Sequence, residues 1–377
     1  MKWFIKYGFV VLLFNTIFYS IVETKDFFAP IVFYSIMILG SIIIFFNPSQ
    51  TRNIIFHKAF LFLLIINIIN IIYFLFIDDI TNQESLEFLL ARFVQFLLIS
   101  SAVFYNYDYF KYQFQKHIII LISTIIILSI ILDPYIFSSR YHGIIWNPNM
   151  LASITVIAFS FLLFKKEKKT TYELFALFIF LLIIIASGSR SALIGIALAF
   201  LFNYGLSLRT IIYSIIGFVV LILISTTNLD TSLNRMISQN LLNDRIEQFS
   251  FALDNIQNEL FFGYGLDQYS GLPDDIDIPK EYKGNLMGSH NGYLAILLQY
   301  GIIFGLIVFF IIFQKSINLI QFSYHDRLIA YKFIIVYTLL AGFFECYFTG
   351  INEFQTILFW FSLSLLSYSK SIQEDAV

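Results

Sequence analysis

Residues 172–204 read YELFALFIFLLIIIASGSRSALIGIALAFLFNY, two apolar segments joined by a very short polar turn. A helix rises about 1.5 Å per residue, so about 20 residues cross the roughly 30 Å hydrocarbon core of a bilayer. Because lipid offers the backbone no hydrogen-bond partners, each segment is predicted to be a helix that bonds internally. The pattern therefore predicts a helical hairpin across a membrane.

Similar apolar blocks recur along the chain. Of its 377 residues, 59% are hydrophobic and 13% are charged, whereas a soluble domain is roughly half apolar and a quarter charged. We therefore predict an all-α polytopic integral membrane protein, a single transmembrane domain over residues 1–377 with about twelve spans. The predicted spans are residues 3–22, 28–46, 59–77, 88–107, 117–137, 149–164, 172–187, 190–204, 210–225, 291–313, 328–344 and 353–368.

The distribution of basic residues predicts the orientation, since cytoplasmic loops retain positive charge. With the N-terminus inside, the inner segments contain thirteen Lys and Arg residues, and the short outer connections contain only Lys25, Arg140 and Arg190. Both termini are therefore predicted to be cytoplasmic. Lys2 and Lys6 precede the first apolar run, but no small-residue cleavage site follows it, so we expect this run to be retained as a helix.

One segment, residues 226–290, interrupts the apolar pattern with ten acidic and four basic residues. In the predicted topology it is a long extracytoplasmic loop, and a loop of this length is usually functional or disordered. Within it, residues 241–260 repeat apolar side chains at helical spacing, which predicts an amphipathic helix on the membrane surface. Gly263 and Gly265 are expected to end that helix.

Strong polar groups gather at the predicted outer ends of three spans, where ionisable residues are functional candidates. The first group is Arg140 with Asn147, Pro148 and Asn149, although a turn that ends in a helix cap is the alternative. The second is the hairpin from Ser187 to Arg190. Ser189 is expected to cap the following helix. The guanidinium of Arg190 suits phosphate binding. The alternative is that the Arg190 side chain only extends towards the membrane surface to keep its charge in water.

The third group, Ser289-His290-Asn291, lies where the long loop re-enters the membrane. Histidine exchanges a proton near neutral pH, so His290 is a candidate general base, and a polar helix cap is the alternative. The single cysteine, Cys346, is predicted to lie in an apolar span and has no second cysteine to pair with, so neither a disulfide nor a cysteine-based metal site is expected. The sequence contains no familiar cofactor-binding motif, and no cofactor is predicted.

These motifs, in this order and at this spacing, resemble the O-antigen ligase and O-antigen polymerase superfamily of cell-envelope glycan enzymes. The motifs are Asn147-Pro148-Asn149, Ser187-Gly188-Ser189-Arg190, Asp244-Arg245 followed by Gly263-x-Gly265, and His290-Asn291-x-x-Leu294 followed by Gly301 and Gly305. The chain departs from the family pattern at Phe249, where Trp is common, and at residues 258–260, where His-Pro is usual. The resemblance covers about residues 140–310 and implies a fold similar to the GT-C glycosyltransferases.

The resemblance implies transfer of a glycan from undecaprenyl pyrophosphate to an acceptor hydroxyl outside the cytoplasmic membrane, without a nucleotide sugar or a metal. Arg190 and Arg245 would neutralise the departing pyrophosphate with help from Arg140. His290 would be the base, oriented by Asn291 or by a loop carboxylate. The residues implied in substrate binding are Arg140, Asn147, Asn149, Ser189 and Asn291. The expected partners are the lipid-linked donor, the glycan acceptor, membrane lipids and other polysaccharide export and chain-length proteins, with no nucleic acid.

Two reactions of this superfamily differ only in the acceptor. We favour a polymerase of O-antigen or capsular repeat units, because the outer loop is modest and no domain for a large acceptor is evident. A ligase that transfers the glycan to lipid A core or protein is the alternative. A transporter or flippase, or a non-catalytic scaffold, is an alternative from another class. In a transporter, a path across the bilayer would be lined by Arg92, Asn67, Asn70, Lys332 and Glu345.

Overall fold

The computed structural model of the chain describes residues 2–78, 80–137, 139–205, 212, 243–268, 289–322 and 326–375. Within these residues there are helices and no β-strand, apart from a single bridge between Ile21 and Ile145. The helices are α1 (Lys2–Phe18), α2 (Val22–Lys25), α3 (Phe28–Phe46), α4 (Pro48–Ile55), α5 (Leu61–Phe76), α6 (Gln83–Tyr112), α7 (Phe114–Leu132), α8 (Pro148–Leu163), α9 (Thr171–Ser187), α10 (Arg190–Tyr204), α11 (Asn243–Asn258), α12 (Gly292–Gln321), α13 (Ile329–Ala341) and α14 (Phe354–Asp375).

The helical class predicted from the sequence is confirmed. Each predicted span coincides with a helix except residues 210–225, which lie outside the described residues apart from residue 212. In the part of the chain that the structure describes, three helices are long and apolar enough to cross a membrane alone, namely α6, α7 and α12. A fourth span results if the first part of α3 and α4, bent by 103°, are counted together. The figure of about twelve crossings stays a prediction.

Several helices expose one apolar face and bury the other. Along α7, Ile120, Ile127 and Ile131 are 52%, 56% and 68% exposed, whereas Ile118 and Ile122 are fully buried. Contiguous apolar surface of this kind is rarely left in contact with water. A lipid environment removes that cost, so the exposed faces indicate an integral membrane protein.

Helix α14 forms the centre of the bundle. Every residue from Phe354 to Ser367 is buried, and the helix packs against α1, α6, α8, α12 and α13. Two of its serines satisfy their hydroxyls within the helix: the hydroxyl of Ser362 donates to the Leu358 carbonyl oxygen at 2.7 Å, and Ser364 donates to that of Trp360 at 2.8 Å. The connection that precedes α14 therefore leads into the buried centre of the bundle.

Helix α12 is broken at Gly301, where the backbone has φ 64° and ψ −174°. Residues 260–265 pack against the break and exchange four backbone hydrogen bonds with it. These run from Tyr264 N–H to the Leu298 oxygen (2.8 Å), from Gly265 N–H to the Gln299 oxygen (3.3 Å), from Ile302 N–H to the Leu260 oxygen (2.8 Å) and from Ile303 N–H to the Phe261 oxygen (3.3 Å). The groups released by the break therefore find partners, as an apolar interior requires.

The same docking places α11 against α12. Ala252 and Ile256 of α11 are buried against Leu298, and the hydroxyl of Tyr264 donates to the Asn255 carbonyl oxygen at 3.1 Å. The structure thus contains a helix within the segment predicted to hold one, and its apolar side packs on another helix. Its position on a membrane surface stays a prediction.

The break makes Gly301 a specific requirement. A Cβ on Gly301 would lie 2.4 Å from the backbone of Phe261, and its φ and ψ belong almost only to glycine. We expect Gly301→Ala to lower the stability by at least about 1–3 kcal/mol from backbone strain alone. Thermal unfolding of the detergent-solubilised protein, followed by tryptophan fluorescence, measures this.

Gly305→Ala is the matched control on the same helix. A Cβ there would meet the side-chain end of Leu297 at 3.2 Å and would make ordinary contacts with Ile296 at 3.6 Å, and alanine favours a helix over glycine. We expect its unfolding temperature to stay near that of the wild type. Equal losses in the two variants would contradict the docking of residues 260–265 at the break.

Candidate active site

Helix α8 begins with two asparagines that have different roles. Asn147 is the N-cap, and its side-chain oxygen accepts a hydrogen bond from the Asn149 N–H at 2.8 Å, with Pro148 in the first turn. Asn149 instead points its side chain away from the cap: Nδ2 donates to Glu345 Oε1 at 2.9 Å, and Oδ1 accepts from Arg140 Nη2. Of the two asparagines, Asn149 therefore connects charged groups, whereas the Asn147 side chain completes the helix end.

Arg140 connects this helix start to the hairpin between α9 and α10. Its Nε donates to the Ser187 carbonyl oxygen at 3.1 Å, and Gly188 ends α9 in the left-handed conformation with φ 63°. The predicted cap by Ser189 is wrong, because its side chain caps no backbone group; its hydroxyl lies 3.1 Å from that of Ser191 and is buried. Arg190 is the half-buried first residue of α10.

The backbone of His290 is strained. His290 has φ 40° and is, among the described residues, the one residue other than glycine with a positive φ. A left-handed backbone costs a non-glycine residue about 1–2 kcal/mol, and such residues concentrate at functional sites. Asn291, the N-cap of α12, accepts from the backbone N–H groups of Tyr293 (2.9 Å) and Leu294 (3.1 Å). Its side-chain oxygen is therefore used by the helix, not by His290.

The carboxylate of Glu345 faces His290 instead. Glu345 Oε2 lies 3.9 Å from His290 Nδ1, and the two side chains are 12% and 36% exposed. Glu345 Oε1 accepts the hydrogen bond from Asn149. One continuous set of contacts, which we term the outer polar cluster, thus joins Arg140, Asn149, Glu345 and His290. Through Ser187 it also reaches the hairpin, so the three groups predicted separately from the sequence meet at one end of the bundle.

The chain on both sides of Glu345 is bound to the chain on both sides of His290. Asn291 Nδ2 donates to the Phe343 carbonyl oxygen at 3.3 Å, and the hydroxyl of Ser289 lies 3.4 Å from the sulfur of Cys346. Gly292 N–H donates to the Gly342 carbonyl oxygen at 2.8 Å. The connection between α13 and α14 therefore holds its carboxylate beside the imidazole.

Two further residues concern this site, one predicted from the sequence and one found in the structure. Arg245 lies in α11, and its side chain falls outside the described part of the chain. Glu345, in contrast, was not among the residues proposed for catalysis or binding from the sequence. From the sequence, Glu345 is a candidate only in the alternative of a transport path. The one sequence feature that points to it is its position just after the span 328–344, on the same outer side as His290.

The fold and this cluster define a helical integral membrane protein with a polar site at the ends of its helices. Residues 175–310 match the family model described as O-antigen ligase. The matched segment includes the hairpin, Arg190, Arg245, His290 and Gly301, and it confirms the predicted resemblance to the O-antigen ligase and O-antigen polymerase superfamily. No curated protein matches the sequence significantly. Arg140, Asn149 and Glu345 lie outside the matched segment.

The role of Asn149 as a bridge is testable. Asn149→Ala removes the hydrogen bonds that join Arg140 to Glu345, and hydrogen bonds to charged groups contribute about 1.5–3 kcal/mol each. We expect glycan transfer, the reaction that the family match implies, to fall at least about tenfold in reconstituted membranes, and the unfolding temperature to fall with the loss of these bonds.

Asn82→Ala is the matched control, since Asn82 is a capping asparagine at another helix start. Its side-chain oxygen accepts from the backbone of Glu84 at 3.0 Å and of Ser85 at 3.3 Å. Loss of this cap should lower stability by about 1 kcal/mol and leave the transfer rate unchanged. A normal rate in Asn149→Ala would show that the bridge has no part in the reaction.

Proposed function

We propose that the chain is a membrane glycosyltransferase that polymerises undecaprenyl-pyrophosphate-linked oligosaccharide repeat units of O-antigen or capsular polysaccharide. The observation that carries the proposal is the outer polar cluster, in which a strained, accessible histidine faces a carboxylate that is linked to an arginine. The match of residues 175–310 to the O-antigen ligase family supports the reaction class. Carboxylate, imidazole and guanidinium are the groups that such a transfer needs.

The reaction joins an acceptor hydroxyl to the anomeric carbon of the donor glycan. The hydroxyl oxygen forms the new bond to that carbon, the bond from the carbon to the pyrophosphate oxygen breaks, and undecaprenyl pyrophosphate leaves with the electron pair. The hydroxyl proton passes to His290, which must be neutral to accept it. Because Nδ1 of His290 faces Glu345, we assign proton acceptance to Nε2.

The departing pyrophosphate gains negative charge, which arginine side chains stabilise well in a site with little water. We assign this role to Arg190 and Arg245, with Arg140 as the helper. Arg190 begins α10 directly after the hairpin, and Arg140 binds the hairpin through the Ser187 oxygen at 3.1 Å. Arg245 lies in α11, which packs on the same helix that His290 precedes.

We place this site on the extracytoplasmic face of the cytoplasmic membrane in a GT-C-like bundle of about twelve spans. The distribution of charge supports this orientation. Lys165, Lys166, Lys168 and Lys169 lie between α8 and α9, at the ends of these helices opposite to Asn149 and Ser187. The polyprenyl tail would lie along the exposed apolar faces, and the segment 226–290 would cover the sugars.

A polymerase remains our first choice over a ligase, because no separate domain for a large acceptor is evident in the sequence. A transport function has less support. Among the residues that a transport path would use, Glu345 belongs to the outer polar cluster. Arg92 binds backbone carbonyl oxygens of the neighbouring connection. Both side chains therefore have partners that explain them without a path.

The decisive experiment deletes the gene in its host and complements it with the wild type or with His290→Ala. Loss of a general base costs roughly 10²–10⁴-fold in rate, so His290→Ala should restore no product although the protein is present in the membrane. Surface and lipid-linked glycans are separated on gels. Single repeat units left on the lipid identify a polymerase, and long unattached lipid-linked polymer identifies a ligase.

His142→Ala is the matched control, since His142 is an exposed histidine near the same helix start whose Nδ1 lies 3.0 Å from the Ile145 carbonyl oxygen. It should complement as the wild type does. An unchanged glycan profile in the deletion strain would overturn both the polymerase and the ligase, and would favour a transporter or a scaffold.

A further inference from the structure

We infer that Glu345 is a positioning residue that orients the imidazole of His290 and stabilises it once it has accepted the proton. This inference rests on the proposed function, because it assigns a role within that reaction. It concerns a residue that lies outside the segment matched to the family. The geometry of both carboxylate oxygens carries it.

The two oxygens of Glu345 have different neighbours. Oε1 accepts a hydrogen bond from Asn149 at 2.9 Å, whereas Oε2 faces Nδ1 of His290 at 3.9 Å. This separation suits an ion pair that forms when His290 becomes charged, and an opposite charge within about 4–6 Å favours the charged form. The carboxylate is mostly buried, so solvent screens the attraction only weakly.

Glu345 is held in this position, because hydrogen bonds from the core bind the connection between α13 and α14 that carries it. Arg92 is 3% exposed and donates to the Thr349 carbonyl oxygen and, at 3.1 Å, to that of Gly350. Gln95 Nε2 donates to the Ile351 carbonyl oxygen. The glycan-transfer function predicted from the sequence gives the buried Arg92 no role. These bonds give it one, because they attach the connection that carries Glu345 to α6.

Phe88 and Phe96 hold the guanidinium of Arg92 from both neighbouring turns of α6, with ring centres 5.3 and 5.5 Å from its central carbon. Cation–π contacts of this kind are stronger where water is excluded. The clamp, which we define as Arg92 and Gln95 on residues 349–351, therefore holds the connection from α6. The other side is held by the bonds that flank His290.

Other titratable groups surround the pair. Arg140 approaches through Asn149. Glu345 interacts electrostatically with Tyr337 of α13 and, in the connection, with Cys346, Tyr347 and Glu353. The carboxylate that faces Nδ1 of His290, at 3.9 Å, is that of Glu345.

The test is the rate of transfer by purified protein in nanodiscs, with lipid-linked glycan extracted from the deletion strain as the probe. Glu345→Gln removes the charge that faces Nδ1 of His290. It should therefore lower kcat by about 10- to 100-fold and leave the KM for the donor within about twofold.

Two variants separate positioning from a merely structural effect. Glu345→Asp keeps the charge and should show a smaller loss of kcat than Glu345→Gln. Glu87→Gln, which removes an exposed carboxylate bonded to the Tyr34 hydroxyl at 2.7 Å, should leave kcat and KM unchanged.

The outcomes are distinguishable. If the wild type transfers no glycan, the proposed function fails. If the wild type is active and His290→Ala is inactive, but Glu345→Gln keeps the wild-type kcat or Glu345→Asp loses as much kcat as Glu345→Gln, the role of Glu345 is overturned even if the variants are less stable.

Discussion

Polar groups in an apolar interior must find hydrogen-bond partners, and the rest of the structure depends on how this requirement is met at two places. At the break in α12, residues 260–265 take over the bonds that Gly301 releases. In the connection after α13, Arg92 and Gln95 bind three successive carbonyl oxygens. The first attaches α11 to the bundle, and the second fixes the chain that presents Glu345.

These two arrangements support the proposed reaction site at the helix ends. A charged cluster in the middle of the bundle would have to be desolvated completely, whereas at the ends the core fixes one side of it and the other side stays open. His290 illustrates the result, since its backbone is held in a left-handed conformation while its side chain stays 36% exposed. Rigid support and access are thus combined in one residue.

Local sequence predicts the helices of this protein well, because the length and the apolar content of a helix in lipid are properties of a contiguous segment. The hairpin at Gly188 and the start of α8 at Pro148 are equally local, and both occur where the sequence places them. Ser189 shows where local reasoning fails: the residue stands at the capping position, yet its hydroxyl lies beside Ser191. Which neighbouring group a serine hydroxyl bonds to depends on side-chain rotamers, and a sequence pattern does not specify these.

The sequence by itself determined the helical class, most helix positions, and the candidates His290, Arg190 and Arg140, since each depends on residue type and on neighbours in the chain. Only the tertiary structure decided that Asn149 bridges while Asn147 caps, and that Glu345 rather than Asn291 faces His290. Residues 149, 290 and 345 are far apart in the sequence. Their meeting depends on how α8, α12 and α13 pack against one another, and long-range packing leaves no periodic signal in a single chain.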